Sequence, residues 1–434
     1  MKHLEKFAAG VVLILLMASA ALAMDWPQWR GPYFNGSTRA EDLPASWTAE
    51  GIAWVRRLPG PSGATPVIAD GRVFVTSTVE GSPEFGALCF DQSTGERLWW
   101  RQVGADARRF PRNNMASPSP ATDGKRVFFL YADGTLVGFD VEGHELWRRN
   151  IEKEYGNLAL QFGYSNSPLL YDGRLYVVVF RRNKPYRGQD PGIDGPLDSF
   201  LLAVDPATGQ TLWKQPRKTD AFDEGMETYM TPIPFERDGK VELLATGADF
   251  ITSHDPQTGE ELWRFEYWTD KVRDSRVIPT LVTGEGLIFG ARHKHNPLFA
   301  LKPPSRDGKG GRILWEFGGP SPDCSTPLFY EGRLYVLDGL KRKTVTCVDP
   351  RTGREFWQGR LPGSRPWWAS LTAGDGKVYC INEDGLIVVL RAGGGEFEVL
   401  FETTIDEPDI QSSIAIADGH LFIRTAENLY CIGD

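Results

Sequence analysis

The chain has few of the residues, and none of the short motifs, on which many enzyme sites depend. It carries only 5 cysteines and 6 histidines among 434 residues, and an odd number of cysteines does not make a fully paired disulfide framework. No G-x-S-x-G, H-E-x-x-H or P-loop sequence occurs. His293 and His295 form the one close histidine pair, which provides too few ligands for a zinc site. The sequence therefore predicts no metal site and no enzyme of the classes that those motifs define.

An excess of positive charge is also missing. The chain has 48 lysines and arginines against 57 aspartates and glutamates, a formal net charge of −9. General nucleic-acid binding needs clustered positive charge that displaces counterions from phosphates, so we expect no nucleic-acid partner. Small basic clusters do occur at residues 108–112, 181–184 and 341–343. They either attract an anionic partner or are ordinary solvated loop charges.

Long apolar runs are absent except at the start of the chain. Residues 7–20 are apolar, Lys2 and Lys6 precede them, and Ala21-Leu22-Ala23 follows as a cleavage site of small residues. This pattern predicts a secretory signal peptide over residues 1–23, because a membrane helix needs about 20 apolar residues. The residue directly after Ala23 is Met24 and not a cysteine, so we expect no lipid anchor. The predicted location is secreted or periplasmic.

What the chain does contain is a repeated nine-residue pattern, D-x-x-T-G-x-x-ϕ-W, in which ϕ is apolar. It occurs at residues 91–99, 205–213, 255–263 and 349–357, with a shorter copy at 140–147. Each copy follows a second repeated pattern, in which Asp-Gly or Glu-Gly separates two apolar runs. Such a dipeptide indicates a tight hairpin. One repeat therefore predicts four short strands, A to D, the composition of a propeller blade.

The two ends of the chain predict that the blades close into a ring. Residues 413–434 contain strands A to C but no strand D, and residues 52–58 form an isolated D-like strand. Joining these segments completes one blade and removes the exposed sheet edges. The A strands are counted near Pro66, Pro118, Pro168, Pro232, Pro279, Pro327, Leu371 and Ile414. The prediction is an all-β, eight-bladed β-propeller of four-stranded antiparallel blades over residues 52–434, preceded by an extension over 24–51, and we expect a monomer.

The repeated pattern resembles the tryptophan-docking motifs of the PQQ-repeat propellers, where PQQ is pyrroloquinoline quinone. That superfamily includes quinoprotein alcohol dehydrogenases and the propeller subunit of the outer-membrane β-barrel assembly machinery. The opening residues 26–32, W-P-Q-W-R-G-P, also resemble the start of many secreted members. The resemblance implies that one tryptophan per blade packs between neighbouring blades. These tryptophans are Trp54, Trp99, Trp147, Trp213, Trp263, Trp315 and Trp357.

Residues that differ between blades at equivalent places are the candidates for function. We name as the top face the one that carries the D-to-A and B-to-C loops, and it includes a long insertion over residues 181–199 in blade 3. Polar and aromatic residues just before the A strands are expected to converge on the channel mouth, as in a small-ligand site. The alternative is ordinary polarity of wet loops. The candidate ligand-binding residues are Arg112, Asn114, Tyr164, Asn166, Glu227, Tyr229, Arg276, Asp323, Trp367, Trp368 and Gln411.

The function that this pattern favours is a non-catalytic scaffold of the cell envelope that binds a protein, small molecule or glycan through the top face. The alternative is a PQQ- and Ca²⁺-dependent dehydrogenase. In that alternative Trp367 or Trp368 would stack on the cofactor, and Glu227, Asn166 and Asp323 would hold Ca²⁺. Arg112 or Arg276 would bind its carboxylates. The resemblance argues against this alternative, because the family's dehydrogenases are usually larger and carry a pair of adjacent cysteines, which this chain lacks. An enzyme of another kind that uses the mouth residues remains a third possibility.

Overall fold

The chain folds into a closed ring of eight antiparallel sheets around a central channel. A computed structural model describes residues 25–294, 296–405 and 407–433, so the predicted signal peptide lies outside the described residues. The described residues form thirty-two strands in eight four-stranded sheets, which confirms the predicted all-β, eight-bladed propeller. No helix in the described part of the chain is long and apolar enough to span a membrane.

The strands of each blade follow one another from the channel to the rim. Residues Ile52–Arg57 form β1, which belongs to the last blade. Blades 1 to 4 consist of β2 (Val67–Ala69), β3 (Arg72–Thr78), β4 (Glu84–Asp91) and β5 (Arg97–Ala105); β6 (Ala121–Thr122), β7 (Arg126–Leu130), β8 (Thr135–Asp140) and β9 (Glu145–Asn150); β10 (Leu169–Tyr171), β11 (Arg174–Val179), β12 (Phe200–Val204) and β13 (Thr211–Pro216); and β14 (Ile233–Arg237), β15 (Lys240–Gly247), β16 (Phe250–His254) and β17 (Glu261–Glu266).

The second half of the ring repeats this order. Blades 5 to 8 consist of β18 (Val282–Gly284), β19 (Leu287–Ala291), β20 (Leu298–Lys302) and β21 (Arg312–Phe317); β22 (Leu328–Tyr330), β23 (Arg333–Asp338), β24 (Thr344–Val348) and β25 (Glu355–Arg360); β26 (Thr372–Gly374), β27 (Lys377–Ile381), β28 (Leu386–Arg391) and β29 (Val399–Thr404); and β30 (Ala415–Ala417), β31 (His420–Arg424) and β32 (Asn428–Ile432), completed by β1. The short helices among the described residues are α1 (Ile151–Tyr155) and the 3₁₀ turns Ala49–Gly51, Tyr186–Gly188 and Asp223–Met226.

The ring closes as the sequence predicts. Strand β1 pairs antiparallel with β32, with Val55 opposite Tyr430 and Arg57 opposite Asn428. One blade is therefore built from both ends of the described chain. Because blade 8 has its full four strands, no gap interrupts the ring, and the closure depends on β1.

The conserved letters of the repeat build the turn between strands C and D. In blade 1 the Asp91 carboxylate accepts hydrogen bonds from the backbone N–H groups of Ser93 (3.0 Å) and Thr94 (2.8 Å). The Thr94 hydroxyl accepts one from the N–H of Glu96 at 3.1 Å. Gly95 has a positive φ of 67°, which glycine adopts without steric cost. The Asp, Thr and Gly of each repeat are thus explained by turn geometry.

The repeated tryptophans lie across the boundary between neighbouring blades. The Trp99 indole donates to the carbonyl of Val141 in the turn of the next blade, at 2.9 Å, and a Cβ on Gly143 would lie only 2.8 Å from the Trp99 ring. Equivalent indole-to-carbonyl bonds of 2.9–3.1 Å join Trp54 to Gln92, Trp147 to Pro206, Trp213 to Pro256, Trp315 to Pro350 and Trp357 to Gly393. Trp263 differs, because its indole donates to the Glu242 carboxylate of its own blade at 2.7 Å.

The residue opposite each tryptophan on strand C is small. Cys89 pairs with Trp99, Cys347 with Trp357 and Cys431 with Trp54, and all three thiols are buried and free. Gly138, opposite Trp147, shows the reason, because a Cβ there would approach the indole to 2.8 Å. A small side chain is therefore required by packing, and these cysteines belong to the core.

The N-terminal extension crosses the channel on the side away from the top face, and we call residues 25–40 the plug. Trp26 forms a bridge with Ile68 of blade 1, and Gln28 forms one with Ala121 of blade 2. The buried Arg30 guanidinium donates to the carbonyls of Leu371 (2.8 Å) and Pro327 (2.9 Å) in blades 7 and 6. Burial lowers the pKa of Arg30 to about 9. The plug therefore contacts inner strands on both sides of the ring and forms a floor across it.

Candidate functional site at the channel mouth

The channel wall above the plug is a ring of hydroxyl groups, one from each blade, two residues before each inner strand. At seven of the eight blade junctions the hydroxyl oxygen accepts a hydrogen bond from the backbone N–H of the equivalent residue in the preceding blade, at 2.9–3.2 Å. At the remaining junction the Thr231 hydroxyl donates to the Ser167 carbonyl at 3.2 Å. We call this set the hydroxyl ring: Thr65, Ser119, Ser167, Thr231, Thr280, Thr326, Ser370 and Ser413.

The hydroxyl ring corrects the sequence alignment in two blades. The inner strands of blades 2 and 5 begin at Ala121 and Val282, in each case two residues later than an alignment on Pro118 and Pro279 implies. The residue two positions before the ring hydroxyl, which we call the mouth position, is therefore Ser117 in blade 2, whereas Met115, three residues before Pro118, is buried. In blade 5 the mouth position is Ile278. The error arose because blade 2 has two Ser-Pro pairs in succession and blade 5 has its proline before the ring hydroxyl.

A cavity of about 430 Å³ opens at the top face directly above the plug. Every blade contributes the residue two positions before its ring hydroxyl, and Trp29 of the plug lies at the bottom. Ligand pockets commonly have volumes of about 300–1,000 Å³, so the cavity can hold a small molecule. Its lining includes Gly63, Ser117, Ser165, Tyr229, Ile278, Cys324, Trp368 and Gln411 from these equivalent positions, together with Arg112, Asn113, Phe162, Arg276, Asp323 and six members of the hydroxyl ring.

Two arginines supply positive charge at the cavity. Arg112 is exposed and lies over the Trp368 ring, 5.7 Å from its centroid, and forms no ion pair among the described residues. Arg276 lies over Phe162 at 4.8 Å, donates to Glu224 at 2.6 Å and approaches Asp323 to 3.8 Å. Burial opposes the charge of Arg276, but the two carboxylates raise its pKa above the ordinary value. Arg276 is thus paired with carboxylates, whereas Arg112 has no carboxylate partner among the described residues.

Six of the eleven predicted site residues line this cavity, and five do not. Arg112, Tyr229, Arg276, Asp323, Trp368 and Gln411 are the six. Tyr164 and Trp367 are fully buried, and the Tyr164 hydroxyl donates to the Val178 carbonyl at 2.7 Å. Side chains alternate direction along extended backbone, and Tyr164 and Trp367, which directly precede the lining residues Ser165 and Trp368, are buried in the blades.

The other predicted residues outside the cavity have local roles or no visible one. Asn114 organises its own loop, because its side-chain oxygen accepts from the N–H of Ala116 at 3.0 Å. Asn166 is buried, and neither polar atom of its amide has a hydrogen-bond partner among the described residues. Glu227 is fully buried and bound to the Arg182 guanidinium. Tyr229 donates its hydroxyl to Glu227 at 2.8 Å. Burial raises the pKa of Glu227, and Arg182 opposes the rise.

These positions test whether the residues fit PQQ and Ca²⁺. The expected calcium ligands were Glu227, Asn166 and Asp323, but of these only Asp323 lines the cavity. The Glu227 carboxylate is already held by Arg182, Tyr229 and the N–H of Gln161. The described residues contain no cluster of three or more acidic, histidine or cysteine side chains suited to a metal. The Trp368 ring has a guanidinium over it, and Trp367 is in the core. The expected donor set does not converge, so the residues do not fit the cofactor.

Basic residues at the start of the insertion in blade 3 anchor it to the neighbouring loops. Arg181 is buried and donates to the carbonyls of Tyr155, Gly156 and Asn157 at 2.6–2.7 Å, and burial lowers the pKa of Arg181 to about 10. Arg182 binds Glu227, and Arg108 binds Glu152 at 2.7 Å. Three of the nine basic residues in the predicted clusters, Arg108, Arg181 and Arg182, therefore bind partners inside the protein.

Sequence reasoning missed the plug, Phe162 and the hydroxyl ring. A signal for the ring was present, because Thr65, Ser167, Thr231 and Thr326 each directly precede the A-strand proline. Trp29 was visible only as part of an opening motif. Its position at the bottom of the cavity depends on contacts between the extension and inner strands far along the chain, which no local pattern encodes.

Comparisons with known proteins agree with this architecture. A polyvinylalcohol dehydrogenase of Sphingopyxis sp. (strain 113P3) is 26% identical over 389 residues, which are 82% of this chain and 54% of that protein. A quinohemoprotein alcohol dehydrogenase of Comamonas testosteroni is 25% identical over 207 residues, 46% of this chain and 26% of that protein. The chain therefore spans about half the length, or less, of these curated relatives.

Solved structures show the same fold at low sequence identity. A europium-containing methanol dehydrogenase superposes with a TM-score of 0.71 at 11% identity, covering 94% of this chain and 98% of that one. BamB from Moraxella catarrhalis superposes with a TM-score of 0.60 at 12% identity, covering 88% of this chain and 99% of that one. At such identities the likeness concerns the fold alone.

The family match is broader. Residues 45–187, 198–289 and 341–432 match the PQQ-like repeat family described as outer membrane protein assembly factor BamB. These ranges include more than half of the chain and parts of all eight blades. The chain belongs to this family of PQQ-like repeat propellers.

Proposed function

We propose that this protein is a non-catalytic binding propeller of the cell envelope that holds a small ligand in the cavity at its channel mouth. The observation that carries the proposal is the cavity itself. It is closed below by Trp29, receives a wall from every blade, and contains aromatic rings beside charged and hydroxyl groups. An apolar pocket with a few convergent polar groups is the usual form of a small-ligand site. An envelope protein bound at the same face is the other occupant we consider.

The envelope location rests on the N-terminal pattern and on the family. Residues 1–23 have the composition of a signal peptide, and the matched family is named for outer-membrane assembly. We propose export and cleavage near Ala23, and we propose that the mature protein is a monomer in the periplasm or outside the cell. N-terminal sequencing of the protein purified from its host should then begin at Met24. A mature chain that begins at Met1 would contradict export.

We also propose that the indole contacts between blades act as the docking elements of the ring. Six tryptophans donate to the turn of the following blade, and a glycine of that turn lies against the ring in several of them. A large buried aromatic contributes several kcal/mol through packing. The tryptophans therefore serve stability, which leaves the mouth residues as the functional ones.

The alternative function is a PQQ-dependent dehydrogenase, which the names of the curated relatives favour. Both relatives described above are dehydrogenases by name, although the chain covers only part of each. Against this alternative stand the separated positions of Glu227, Asn166 and Asp323. Burying Glu227 beside Arg182 stabilises the protein only while the pair is intact, so this carboxylate is not free to bind a metal.

One experiment separates the two functions. The purified protein is titrated with PQQ and CaCl₂, and absorbance, dye reduction and alcohol consumption are followed, with the Comamonas testosteroni quinohemoprotein alcohol dehydrogenase as the positive control. We expect no saturable PQQ binding at about micromolar concentration and no dye-linked oxidation. Tight binding with turnover that Trp368→Ala abolishes would refute the binding-protein proposal and establish the dehydrogenase.

A second measurement tests the cavity directly. Ser165 lines the mouth, and Ser165→Trp is expected to fill it. Native mass spectrometry of the protein isolated gently from its host should show a bound small molecule that Ser165→Trp lacks. Leu98→Trp, at an exposed position on the rim strand β5, is the matched control because it adds the same bulk elsewhere. A ligand retained by both variants would exclude the cavity as its site.

A further inference from the structure

The hydroxyl ring gives the cavity wall a definite hydrogen-bonding polarity. Six of its members line the cavity. In one of them, Thr231, the hydroxyl donates to the Ser167 carbonyl, and the other five are Thr65, Ser119, Ser167, Ser370 and Ser413. Each of these oxygens accepts a backbone N–H, and none of the five hydroxyls donates to another described residue. A serine or threonine hydroxyl has one proton to donate. These five protons are therefore available to a molecule in the cavity, which must offer acceptor oxygens.

The upper part of the cavity adds charge to this donor wall. The Arg112 guanidinium at the rim forms no ion pair within the described chain, and its position over Trp368 keeps it at the opening. Arg276 is held in place by Glu224 at 2.6 Å, yet its Nε atom is buried without a partner. Planar guanidinium groups match carboxylates especially well. A ligand carboxylate would therefore find its partner at the rim.

Apolar surface faces the same space. Trp29 lies at the bottom, and Phe162, Tyr229 and Ile278 lie on one side, in blades 3 to 5. The side-chain oxygen Oδ1 of Asp323 is buried without a hydrogen-bond partner among the described residues and can accept a hydrogen bond from a ligand hydroxyl. The cavity thus combines an apolar surface, a donor wall, one acceptor and one free cation.

We propose that the ligand is an acidic saccharide, a sugar ring that carries a carboxylate; this inference rests on the proposed binding function. A pyranose ring has an apolar C–H face that packs on aromatic side chains, and its edge hydroxyls both donate and accept. The hydroxyl ring and Asp323 match those edges, and Arg112 matches the carboxylate. A bare inorganic anion would leave Trp29 and the apolar side of the cavity without a contact. A neutral sugar would leave Arg112 without a counter-charge.

Glucuronate and glucose provide a matched pair of probes, because they differ only at the carbon that carries the carboxylate. Titration calorimetry of the full mature protein should give about tenfold tighter binding of glucuronate than of glucose at low ionic strength. Salt should reduce this preference, since Arg112 is exposed and surface charges are screened. Arg112→Gln should abolish the preference, because glucuronate then loses the partner of its carboxylate. Arg109→Gln is the matched control, because Arg109 is exposed nearby and does not line the cavity.

Cys324 supplies an independent readout of where the probe binds. It is the one cysteine that lines the cavity, and the other four are buried in the strands. Burial raises the pKa of the Cys324 thiol, so alkylation by iodoacetamide will be slow and easily timed. Bound glucuronate should slow the reaction further, and Ser165→Trp should abolish both the binding and the protection.

The outcomes separate the inference from the proposed function. Equal affinities for glucuronate and glucose, or no effect of Arg112→Gln, would overturn the acidic-sugar inference while Cys324 protection still supported the cavity. Absence of glucuronate binding would overturn the inference alone. Glucuronate binding that persists in Ser165→Trp and leaves Cys324 fully reactive would show that the cavity is not the site. The inference would then fall, and the proposed function would fall with it only if the ligand seen by native mass spectrometry were also retained by Ser165→Trp.

Discussion

Acidification should destabilise this protein through one buried histidine. His254 ends strand β16 and is completely buried. Its Nδ1–H donates to the carbonyl of Gly259 at 3.1 Å, and Nε2 has no hydrogen-bond partner among the described residues. Burial lowers the pKa of His254 to about 4. The folded protein therefore holds this histidine neutral at pH values where an unfolded chain would protonate it.

The sign and size of the effect follow from proton linkage. Below a pH of about 6.5 the unfolded state binds more protons at His254 than the folded state, so stability falls as the pH falls from about 6.5 towards 4. The stability is fully present above about pH 6.5. With pKa values of 6.5 unfolded and about 4 folded, the loss between about pH 7.5 and pH 5 is about 2 kcal/mol.

Other blades supply the matched control for this prediction. The residue just before the turn aspartate is Phe90 in blade 1, Val204 in blade 3 and Val348 in blade 6, all apolar and buried. His254→Val therefore places a residue that the repeat already accepts at this position. The variant should lose about 2 kcal/mol less than the wild type between about pH 7.5 and pH 5. Urea unfolding followed by tryptophan fluorescence at the two pH values measures this double difference.

The double difference cancels the other acid-sensitive groups, which are common to both proteins. If the two proteins lose the same free energy on acidification, His254 does not stay neutral in the folded state. That result would mean that Nε2 finds an acceptor or solvent, and the dry packing described here at the end of β16 would be wrong.

Three further predictions test the ring by the free energy of unfolding in urea. Trp263→Ala should cost about 3–5 kcal/mol, because the side chain is 4% exposed and its indole binds Glu242. Trp213→Ala should cost less, because Trp213 is only half-buried. Equal losses of stability in the two variants would contradict this difference in packing. Gly143→Ala should cost about 2 kcal/mol more than Gly71→Ala. Both glycines have positive φ, but only at Gly143 would a Cβ contact a tryptophan ring. Equal costs would show that the Trp99 ring moves to make room for the added methyl group. Trp54→Ala, in the closing strand β1, should cost about 3–5 kcal/mol, and a loss below about 1 kcal/mol would contradict closure through β1.

Much of the fold could be predicted because each blade repeats the same short sequence patterns for its turns and strands. The Asp-Gly hairpins and the turn built by Asp91, Thr94 and Gly95 depend on neighbours within a few residues, so their letters are visible in the sequence. The closing strand was visible because the repeat was incomplete at one end. The last repeat lacks strand D, and residues 52–58 form an isolated D-like strand that can supply it.

The site was only partly predictable, for two physical reasons. Side-chain direction in an extended segment alternates with every residue, so a choice between neighbours such as Trp367 and Trp368 places one in the core and the other in the cavity. The alignment of blades 2 and 5 failed where proline did not keep a constant distance from the strand. Glu227 has the charge expected of a ligand, but its partner Arg182 lies in an insertion that no other blade contains.

The N-terminal segment links ring closure to the candidate site. Residues 25–40 form the floor that carries Trp29, and β1 begins 12 residues later at Ile52 and completes blade 8. The hydroxyl ring is continuous only when Ser413 of blade 8 can donate its N–H to Thr65 of blade 1. The same stretch of chain therefore closes the ring and completes the cavity. Any ligand that binds only the complete cavity must also stabilise the closed ring, by an amount set by its concentration relative to its Kd.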